Sequence, residues 1–543
     1  MMNIDGYTQS GNHQGGLEGA SRHSREMATW QPNPLPFDVL LEGDKDLIDD
    51  RSRDAIMNDG YASGAVSIHK DNIVGNQFRL NAQPDMEALG VDDDEWSVKF
   101  QETVEARFNS AGISIKNWFD ASGVNDFTML IRQAIGTFII HGEVLGVFEW
   151  LPEKRRPFST AVQMINPRRL STPFDLATDP NVAHGVEKDS YGRPIAYHIM
   201  KAHPFDIRNV ERKHEWKRVK SETEWGRPMV IHVIEQLVTD QTRGVSEMVS
   251  VLKQMRMTRR FQDVELQQAI LQATYAATIE SDLPMQMIAE VMGGSPDAPN
   301  FEASALSMLS SIAKHRATRE LRLDGTKIPV LHPNTKLNLQ QLGQPSGTGS
   351  EYEQSLLRHI AAGLGISYEQ FSRDYTKTNY SSARASMNET YKFMQSRKKI
   401  VADKVANYIY RNWLEEQIQM GVIPLPKGKN KNWIYQDPFI LDALSRASWI
   451  GASRGQIDEM KETQSAILRV NFGLSTMELE ASRLGLDYRE LLKQRKREQE
   501  TVEKLGVKLS DGAEKQVVDK KPSSDEGNED SNKSDERKEG EDE

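Results

Sequence analysis

The stretch from 353 to 385 reads EQSLLRHIAAGLGISYEQFSRDYTKTNYSSARA, and the rest of the chain is organised around it. It begins with the apolar spacing of a helix, meets Gly363 and Gly365, and continues as a polar, tyrosine-rich loop. Helical sequence resumes near Ser381. Three basic residues are spaced along this region: Arg373, Lys377 and Arg384. A loop held between two helices and carrying these charges is suited to contact a large anionic partner.

The length and charge of the chain limit the classes of protein it can belong to. A chain of 543 residues is too long for one core, so roughly two to four domains are expected. Residues 511–543 contain 13 acids and 6 bases, a net charge of −7 out of a total of −11. The body is therefore close to neutral and is not a strongly basic nucleic-acid coat.

The chain contains no cysteine, which excludes disulfides, cysteine-ligated zinc, iron–sulfur clusters and a thiol nucleophile. No apolar run approaches the ~20 residues needed to span a bilayer, so no membrane partner is expected. The N-terminal sequence MMNIDGYTQSGNHQGGLEGA lacks the basic start and apolar core of a secretory signal. We expect the protein to be made and used in the cytoplasm, or in a particle assembled there.

The first half of the chain predicts an arm, then helices, then a sheet. Residues 1–44 are rich in Gly, Ser, Asn, Gln and Pro, which is typical of a flexible arm or a plain disordered leader. Within it, Trp30 and Phe37 are candidate docking residues. Helical spacing follows from Lys45 to Gly75, from Asp92 to Asn109, and from Asp126, a candidate N-cap, to His141. Extended runs with a hairpin signal at Asp189–Gly192 come next, so residues 45–243 are predicted to be α+β.

Residues 244–282 predict one long helix, because they contain no proline and no glycine after Gly244. About 37 residues would give a helix of ~55 Å, longer than a small domain is wide. Two interpretations remain open at this point. The segment is either a long core helix, with a break near Arg259–Arg260, or a strut that joins two lobes.

The second half predicts a small lobe over 283–349, the stretch quoted above, a helix from about Ser382 to Met420, and further helices to 499. Residues 500–543 are predicted to be a disordered acidic tail. The predicted fold class is therefore α+β and predominantly helical.

Enzyme motifs are absent from the sequence. There is no P-loop, no G-x-G-x-x-G after a strand, no H-E-x-x-H and no G-x-S-x-G. The acid pairs Asp49–Asp50 and Asp92–Asp94 are expected at helix starts, where they complement the helix dipole. A solvated helix face is the interpretation for Glu415–Glu416 and for the basic run Arg397–Lys399. Neither a catalytic group, a metal site nor a cofactor is predicted.

Ordered blocks of the sequence closely resemble the lambda-type phage portal proteins. The strongest is the opening stretch from 355 to 389; the others are GYASGAVSIHKDNIVG (60–75), IHVIEQLVTDQTRGVS (231–246), LQQAILQATYAATIESDLP (266–284), LDGTKIPVLHPNTKLNL (323–339) and WLEEQI (413–418). The blocks keep their order over roughly residues 45–490. The resemblance implies a structural protein and not an enzyme.

The resemblance also implies a fold of wing, stem, clip and crown around an axial channel, assembled as a ring of about twelve copies. The implied segments are a wing over 45–243, a first stem helix over 244–282, a clip over 283–349, a second stem helix over 350–366, a tunnel loop over 367–381, and a long wing helix with crown helices over 382–499.

The partners implied are double-stranded DNA in the channel, the large terminase subunit, a head-completion or neck protein, and the major capsid and scaffold proteins. The implied location is the portal vertex of a virion assembled in the host cytoplasm, with a role in starting head assembly. Two alternatives are another capsid component and a DNA-acting enzyme, the latter without the carboxylate cluster or P-loop it needs.

The candidate DNA-facing residues lie in and beside the tunnel loop: Arg373, Tyr375, Lys377, Asn379, Tyr380 and Arg384. The basic members would face DNA or form the contact between subunits, and the tyrosines and Asn379 would shape the loop. For Arg384 the alternative is an ion pair with an acid of the same or the neighbouring subunit. Lys377 is expected to be exposed.

Overall fold

The computed structural model describes residues 20, 25, 27–275, 322–323, 326–327, 348–453, 455 and 459–505. The chain divides into two compact units, Met1–Glu459 and Met460–Glu543, and each is described by itself. No helix in the described ranges is long and apolar enough to cross a membrane.

The described helices and strands confirm the predicted α+β class. The α-helices are α1 Phe37–Asn58, α2 Gly60–Ile73, α3 Met86–Leu89, α4 Asp94–Gly112, α5 Phe127–His141, α6 Leu252–Tyr275, α7 Thr348–Gly363, α8 Tyr368–Ser372, α9 Tyr380–Arg397, α10 Asp403–Met420, α11 Pro438–Leu444, α12 Glu459–Asn471, α13 Met477–Arg483 and α14 Tyr488–Leu505. The strands are β1 Arg79–Ala82, β2 Glu143–Trp150, β3 Thr160–Ile165, β4 Val182–Ala183, β5 Val186–Lys188, β6 Pro194–Met200, β7 Trp216–Lys220, β8 Val230–Ile234, β9 Arg322–Leu323, β10 Thr326–Lys327 and β11 Ala447–Ile450.

The helical region predicted from Lys45 to Gly75 is two helices. The first, α1, begins at Phe37, so the predicted arm is too long by its last eight residues. The break falls at Asp59, whose carboxylate accepts hydrogen bonds from the backbone N–H of Tyr61 at 2.8 Å and of Ala62 at 3.2 Å. Asp59 is thus the N-cap of α2 and starts a new helix direction.

The core of the first unit joins its two ends. Strand β1 pairs antiparallel with β11, so residues near 80 and 450 share a two-stranded sheet. Aromatic rings from α4, α5, α10 and β11 pack into one cluster: Phe108, Phe127, Tyr410, Trp413 and Trp449. Such rings bury large apolar areas, so this cluster fixes the position of α10 against the N-terminal helices.

Two antiparallel sheets follow α5. The three-stranded sheet has the order β3-β2-β8, and the four-stranded sheet has the order β4-β5-β6-β7. The hairpin predicted at Asp189–Gly192 is confirmed: the N–H of Gly192 donates to the carbonyl of Asp189 at 3.0 Å, and Gly192 has φ +81°. Asp126 caps α5 as predicted, accepting from the N–H of Met129 at 2.7 Å.

A buried ion cluster lies where α1, α5, β2 and β8 meet. Its centre is Glu143, the first residue of β2, which is fully buried. The guanidinium of Arg243 donates to both carboxylate oxygens, at 2.6 and 2.9 Å. Lys45 lies 3.3 Å and His232 3.1 Å from the same carboxylate. Burial alone would raise the pKa of Glu143, but Arg243, Lys45 and His232 outweigh it and hold the pKa well below its usual range.

The same cluster accounts for a wrong prediction. Asp49 and Asp50 do not start a helix but lie in the middle of α1. Asp49 is buried and pairs with Lys45 at 3.0 Å and with His141 at 2.9 Å. Asp50 pairs with Arg168 at 2.5 Å. Partners as distant in sequence as His141 and Arg168 cannot be read from the acid pair itself.

Two glycines bring the backbones of the cluster into direct contact. A Cβ at Gly244 would overlap the carbonyl oxygen of Gly142, and a Cβ at Gly142 would overlap the carbonyl of Val245. Gly142 also has φ +72°, which favours glycine. The close approach of these two backbone segments places Arg243 against Glu143. It also sets the path of the chain into α6.

The prediction of a solvated face for Glu415 and Glu416 is wrong. Both side chains are buried. Glu416 accepts from the backbone N–H of Ser159 at 2.6 Å and of Thr160 at 2.9 Å, and so caps the start of β3. The Glu415 carboxylate accepts from Tyr435 at 2.8 Å. Glu416 therefore joins α10 to the sheet, and Glu415 joins α10 to the segment that follows it.

The second unit contains most of α12 and all of α13 and α14. Arg469 donates to both carboxylate oxygens of Glu480, at 3.0 and 2.8 Å, and Arg483 lies 2.7 Å from the same carboxylate. The hydrogen bond from Arg469, the largest influence, helps lower the pKa of Glu480 to about 2. The ion pair joins α12 to α13.

Replacing Glu143 with glutamine tests the ion cluster. Because the variant leaves Arg243 buried without its counterion, Glu143→Gln should lower the free energy of unfolding by about 3–5 kcal/mol at neutral pH. The pKa of Glu143 is lower in the folded chain than in the unfolded one. Its contribution is therefore complete above about pH 4.3 and declines below it, so the difference from wild type should shrink in acid.

Urea unfolding at several pH values measures this difference. The matched control is Glu149→Gln on the same strand, where an exposed pair with Lys217 at 3.1 Å should contribute at most about 1 kcal/mol. Equal losses of stability in the two variants, or a loss that does not change with pH, would contradict the assignment.

Candidate functional site

The helices α6 and α7 pack side by side and antiparallel. The ring centroids of Phe261 and Tyr352 lie 5.4 Å apart, and Gln262 donates to Glu353 at 2.6 Å. At the other end, Gly363 meets Val251, whose side chain would overlap a Cβ placed on the glycine. Contacts at both ends fix the antiparallel direction. We refer to α6 and α7 together as the helix pair.

The far half of α6 exposes its apolar side chains within the described residues. Helix α6 begins at Leu252, later than the predicted Gly244, and continues without a break through Arg259–Arg260. Its 24 residues give a length of about 36 Å. Past Thr258 the apolar side chains become solvent-accessible, with Val264 52% and Leu266 62% exposed. A core helix would bury them, so this interpretation is wrong for the described part; residues 276–321, which would test a strut, lie outside the described residues.

A glycine turn ends α7 and fixes the start of the candidate site. Gly365 has φ +65°, and a Cβ there would lie 2.5 Å from the ring of Phe393 on α9. Its neighbours Leu364 and Ile366 are buried, and the N–H of Ile366 donates to the carbonyl of Ala361 at 3.0 Å. A left-handed residue flanked by an apolar contact is a common helix C-cap.

The predicted tunnel loop is shorter than 367–381, because α8 occupies its first part. Ser367 caps α8 by accepting from the N–H of Gln370 at 3.3 Å, and Phe371 packs with its ring 5.4 Å from that of Tyr61. Helix α9 begins at Tyr380, one residue before the predicted Ser381. The remaining loop is 373–379, which we call the candidate loop.

Short-range hydrogen bonds order the backbone of the candidate loop. The Asp374 carboxylate accepts from the N–H of Thr376 at 3.1 Å and from its hydroxyl at 2.7 Å. These bonds, with the hydroxyl bond the largest influence, lower the pKa of Asp374. Asn379 and Ser382 form a capping box at the start of α9, with Ser382 N–H donating to Asn379 Oδ1 at 2.8 Å.

All six predicted site residues are exposed, namely Arg373, Tyr375, Lys377, Asn379, Tyr380 and Arg384. Tyr375 and Tyr380 are 58% and 49% exposed. Lys377 is exposed as predicted. Within the described residues Arg384 forms no ion pair, so an acid of the same chain does not account for it there. Asn379 has the structural role of an N-cap.

Arg373 has an uncommon backbone conformation. It ends α8 with φ +58°, in the left-handed region that costs a non-glycine residue roughly 1–2 kcal/mol. Its side chain is exposed to solvent, so burial of the side chain does not offset this cost. A strained basic residue at the start of an ordered loop points to a role outside the stability of the single chain.

A second set of charged residues lies beneath α9, where the sequence predicted a solvated face. Arg397 pairs with Glu235, and its Nε lies 2.7 Å from Glu247. Burial raises the pKa of Glu247 to about 7, with Glu235 adding to the rise and Arg397 opposing it. Lys398 pairs with Asp403 at 2.8 Å. Arg397 and Lys398 therefore form ion pairs within the fold, and only Lys399 of the three is exposed.

Comparison with known proteins identifies the family. The family described as "Phage portal protein, lambda family" matches residues 23–398. The portal protein of Escherichia phage N15 is 35% identical over 498 residues, and portal protein B of Escherichia phage lambda is 34% identical over 498 residues. Each alignment covers 92% of this chain and 92% of the relative. The chain belongs to the lambda family of phage portal proteins.

Family membership makes the chain a phage portal protein, a structural component of the virion and not an enzyme. Solved structures with similar chains include the virion of a native gene transfer agent particle, at 12% identity and a TM-score of 0.36 over 85% of this chain and 97% of that chain. Another is the neck of the native particle computed with C12 symmetry, at 11% identity and a TM-score of 0.37 over 82% and 93%. These scores are too low to support a further argument.

Replacing Gly365 with alanine tests how the candidate loop is held. The new Cβ must enter the space of the Phe393 ring from a left-handed backbone, so the variant should lose about 2–5 kcal/mol of unfolding free energy. The control is Gly428→Ala, which has φ +78° and open space around its Cβ, and should lose only about 1–2 kcal/mol. Thermal or urea unfolding of both variants gives the comparison. A destabilisation by Gly365→Ala no larger than that of the control would show that Phe393 does not hold the turn.

Proposed function

We propose that this portal protein assembles as a closed ring of about twelve copies around an axial channel for double-stranded DNA. The single observation that carries the proposal is the antiparallel helix pair, exposed along its far half, with an ordered, exposed basic loop at its base. In the proposed ring, α6 and α7 are the two stem helices, and the candidate loop narrows the channel. Residues 45–243 and α9–α10 form the wing, and the segment 283–349 forms the clip.

The candidate loop suits a sliding contact with DNA. Each Lys or Arg that neutralises a phosphate adds affinity, so a channel lined with many fixed contacts would hold DNA in place. In one chain the loop and the start of α9 offer three cations, Arg373, Lys377 and Arg384. Repeated around a ring, they grip passing DNA weakly and without sequence recognition, since phosphates carry no sequence information.

The proposed ring works with other proteins of the particle. It provides the docking site for the large terminase subunit, which supplies the ATP-driven motor, and later for a head-completion or neck protein. It also contacts the major capsid and scaffold proteins and starts head assembly in the host cytoplasm. The absence of a P-loop in the sequence supports a passive conduit that depends on a separate motor.

Electron microscopy of the purified protein tests the assembly. We expect rings with a central hole, and native mass spectrometry should give about twelve times the 61.5 kDa of one chain. Sheets, shells or monomers at micromolar concentration would refute the ring.

Neutralising the candidate loop tests its contact with DNA. Arg373→Gly removes a charge and also relieves the left-handed backbone, so combined with Lys377→Gln it should not lower stability. We expect rings of normal size that package DNA but retain it poorly, because each subunit then neutralises two fewer phosphates. Retention is measured as DNA protected from nuclease in assembled heads. If the variant packages and retains DNA as the wild type does, the loop has no role in DNA contact, although the proposal of a ring still stands.

A further inference from the structure

A short segment before α1 is exposed and restricted by prolines. Residues 30–36 read WQPNPLP, and we call them the proline segment. Proline at every second position favours an extended or polyproline conformation for each preceding residue, and Pro36 itself has φ −53° and ψ 146°. Trp30 is 68% exposed and Leu35 is 48% exposed. The sequence predicted Trp30 as a docking residue, and the described chain does not bury it.

The proline segment lies in a stretch without charge. Residues 27–37 contain no Asp, Glu, Lys or Arg, although 27% of the whole chain is charged. Large apolar side chains grouped on a surface mark sites of interaction. An uncharged segment of this kind is suited to an aromatic site and not to an anion such as DNA.

An aromatic cleft of about 750 Å³ lies between the end of β2 and the end of α10. Its volume is within the range of pockets that bind ligands. Large apolar side chains line the cleft and remain partly exposed: Trp150 at 56%, Trp225 at 60%, Met420 at 51% and Tyr435 at 41%. Proline-rich segments of proteins bind aromatic-lined grooves of this kind.

Hydrogen bonds to one buried carboxylate hold the rings of the aromatic cleft. Trp225 Nε1 donates to Glu415 at 3.1 Å, and the Tyr435 hydroxyl donates to the same carboxylate oxygen at 2.8 Å. Arg227 lies 3.2 Å from the other oxygen of Glu415, and its guanidinium is 5.6 Å from the centre of the Trp150 ring. Glu415 is thereby neutralised, so the cleft offers aromatic surface more than charge and suits an uncharged occupant.

The proline segment of the same chain does not fill the aromatic cleft. None of its residues lines the cleft, and Trp30 remains exposed. The segment joins the body at α1, where Asp38 accepts from the N–H of Thr242 at 2.8 Å. Thr242 precedes Arg243, the partner of the first residue of β2.

The aromatic cleft lies at the other end of β2. Because this strand has eight residues, its two ends are about 24 Å apart. A single chain thus exposes a proline segment near one end of β2 and a matching cleft near the other. A closed ring pairs one surface of each subunit with a different surface of the next, so a second copy can bring its proline segment to the cleft.

We propose that the aromatic cleft binds the proline segment of a neighbouring copy of the chain, with Trp30 and Leu35 as the apolar anchors. The inference rests on the proposed ring and adds a specific contact between its subunits. Prolines already restrict the free segment, so little conformational entropy is lost when it binds. The contact does not depend on charge, unlike the proposed contact of the candidate loop with DNA.

The chain contains no cysteine, so a pair of introduced thiols can report this contact without background. The test variant carries Gln31→Cys in the proline segment and Met420→Cys in the aromatic cleft. The control variant carries Gln31→Cys and Met57→Cys, because Met57 is 76% exposed on α1 and does not line the cleft. Purified rings of each variant are treated with a short bismaleimide and separated under denaturing conditions.

We expect the test variant to give a ladder of covalently linked chains up to the size of the ring, because each subunit is linked to two neighbours. The control should be linked at least tenfold less. The yield should not change between low and high salt, since salt screens only charged contacts. A link within one chain, or no link above the control in intact rings, overturns this inference alone. A wild-type chain that forms no ring overturns the proposed function and this inference together.

Peptide binding gives a second measurement, which does not require the cysteine variants to assemble. A fluorescent peptide of residues 27–37 is added to the full-length Trp30→Ala chain, whose clefts have lost their anchor, and anisotropy gives the dissociation constant. We expect about 1 mM or lower, because the segment must bind at the effective concentration of a neighbour. A peptide with Trp30→Ala should bind at least tenfold more weakly.

Two further substitutions in the Trp30→Ala chain locate the binding site of the peptide. Trp225→Ala in the aromatic cleft should weaken binding at least tenfold. The matched control is Tyr191→Ala, which removes a ring that is 95% exposed outside the cleft and should leave binding within twofold. Equal binding of the two peptides, equal effects of the two substitutions, or no binding at millimolar peptide assigns the cleft to a partner other than this chain and overturns the inference.

Discussion

The buried pairing of Glu143 with Arg243 is the constraint on which the arrangement of the helix pair depends. The arginine comes from the segment that leads into α6, and the glutamate begins the central strand of the three-stranded sheet. Removing one partner of a buried ion pair strongly destabilises the folded protein, so both residues must be in place together. The contact between Gly142 and Gly244 makes this possible, because only glycine allows the two backbones to approach so closely. The direction of α6 is thereby set by charges that lie before its first turn.

Local signals in the sequence were sufficient to predict the class of fold and the position of the candidate loop. Asp126 caps α5 and Gly192 closes a hairpin, and both effects act within four residues. The end of α7 and the start of α9 were predicted to within a few residues for the same reason, since Gly365 and the Asn379 capping box act locally. Helix α8 was missed because its single buried residue, Phe371, packs on Tyr61, far away in the sequence.

Charged residues were where prediction from sequence failed. Asp49, Glu415 and Arg397 were each assigned to a helix start or a solvated face, yet each is paired in the folded chain. Each has a partner more than 90 residues away, so neither spacing nor helix position could reveal these pairs. The exposed cations of α6 show the converse case. Within the described residues they form no ion pair, which becomes evident only when the packing of α6 on α7 is known; the sequence had suggested only a long helix.

The junction between α9 and α10 limits where residues can be inserted into the chain or deleted from it. The two helices are joined by a π-helical turn at Lys398–Ala402, one residue wider than an α-helical turn. Phe393 must meet Gly365 before this turn, and Trp413 must reach the aromatic core after it. Deleting one residue at the turn would rotate everything beyond it by about 100°. Insertions and deletions should therefore be far rarer here than in the surface loops of the sheets, although the turn itself contains no group with a chemical role.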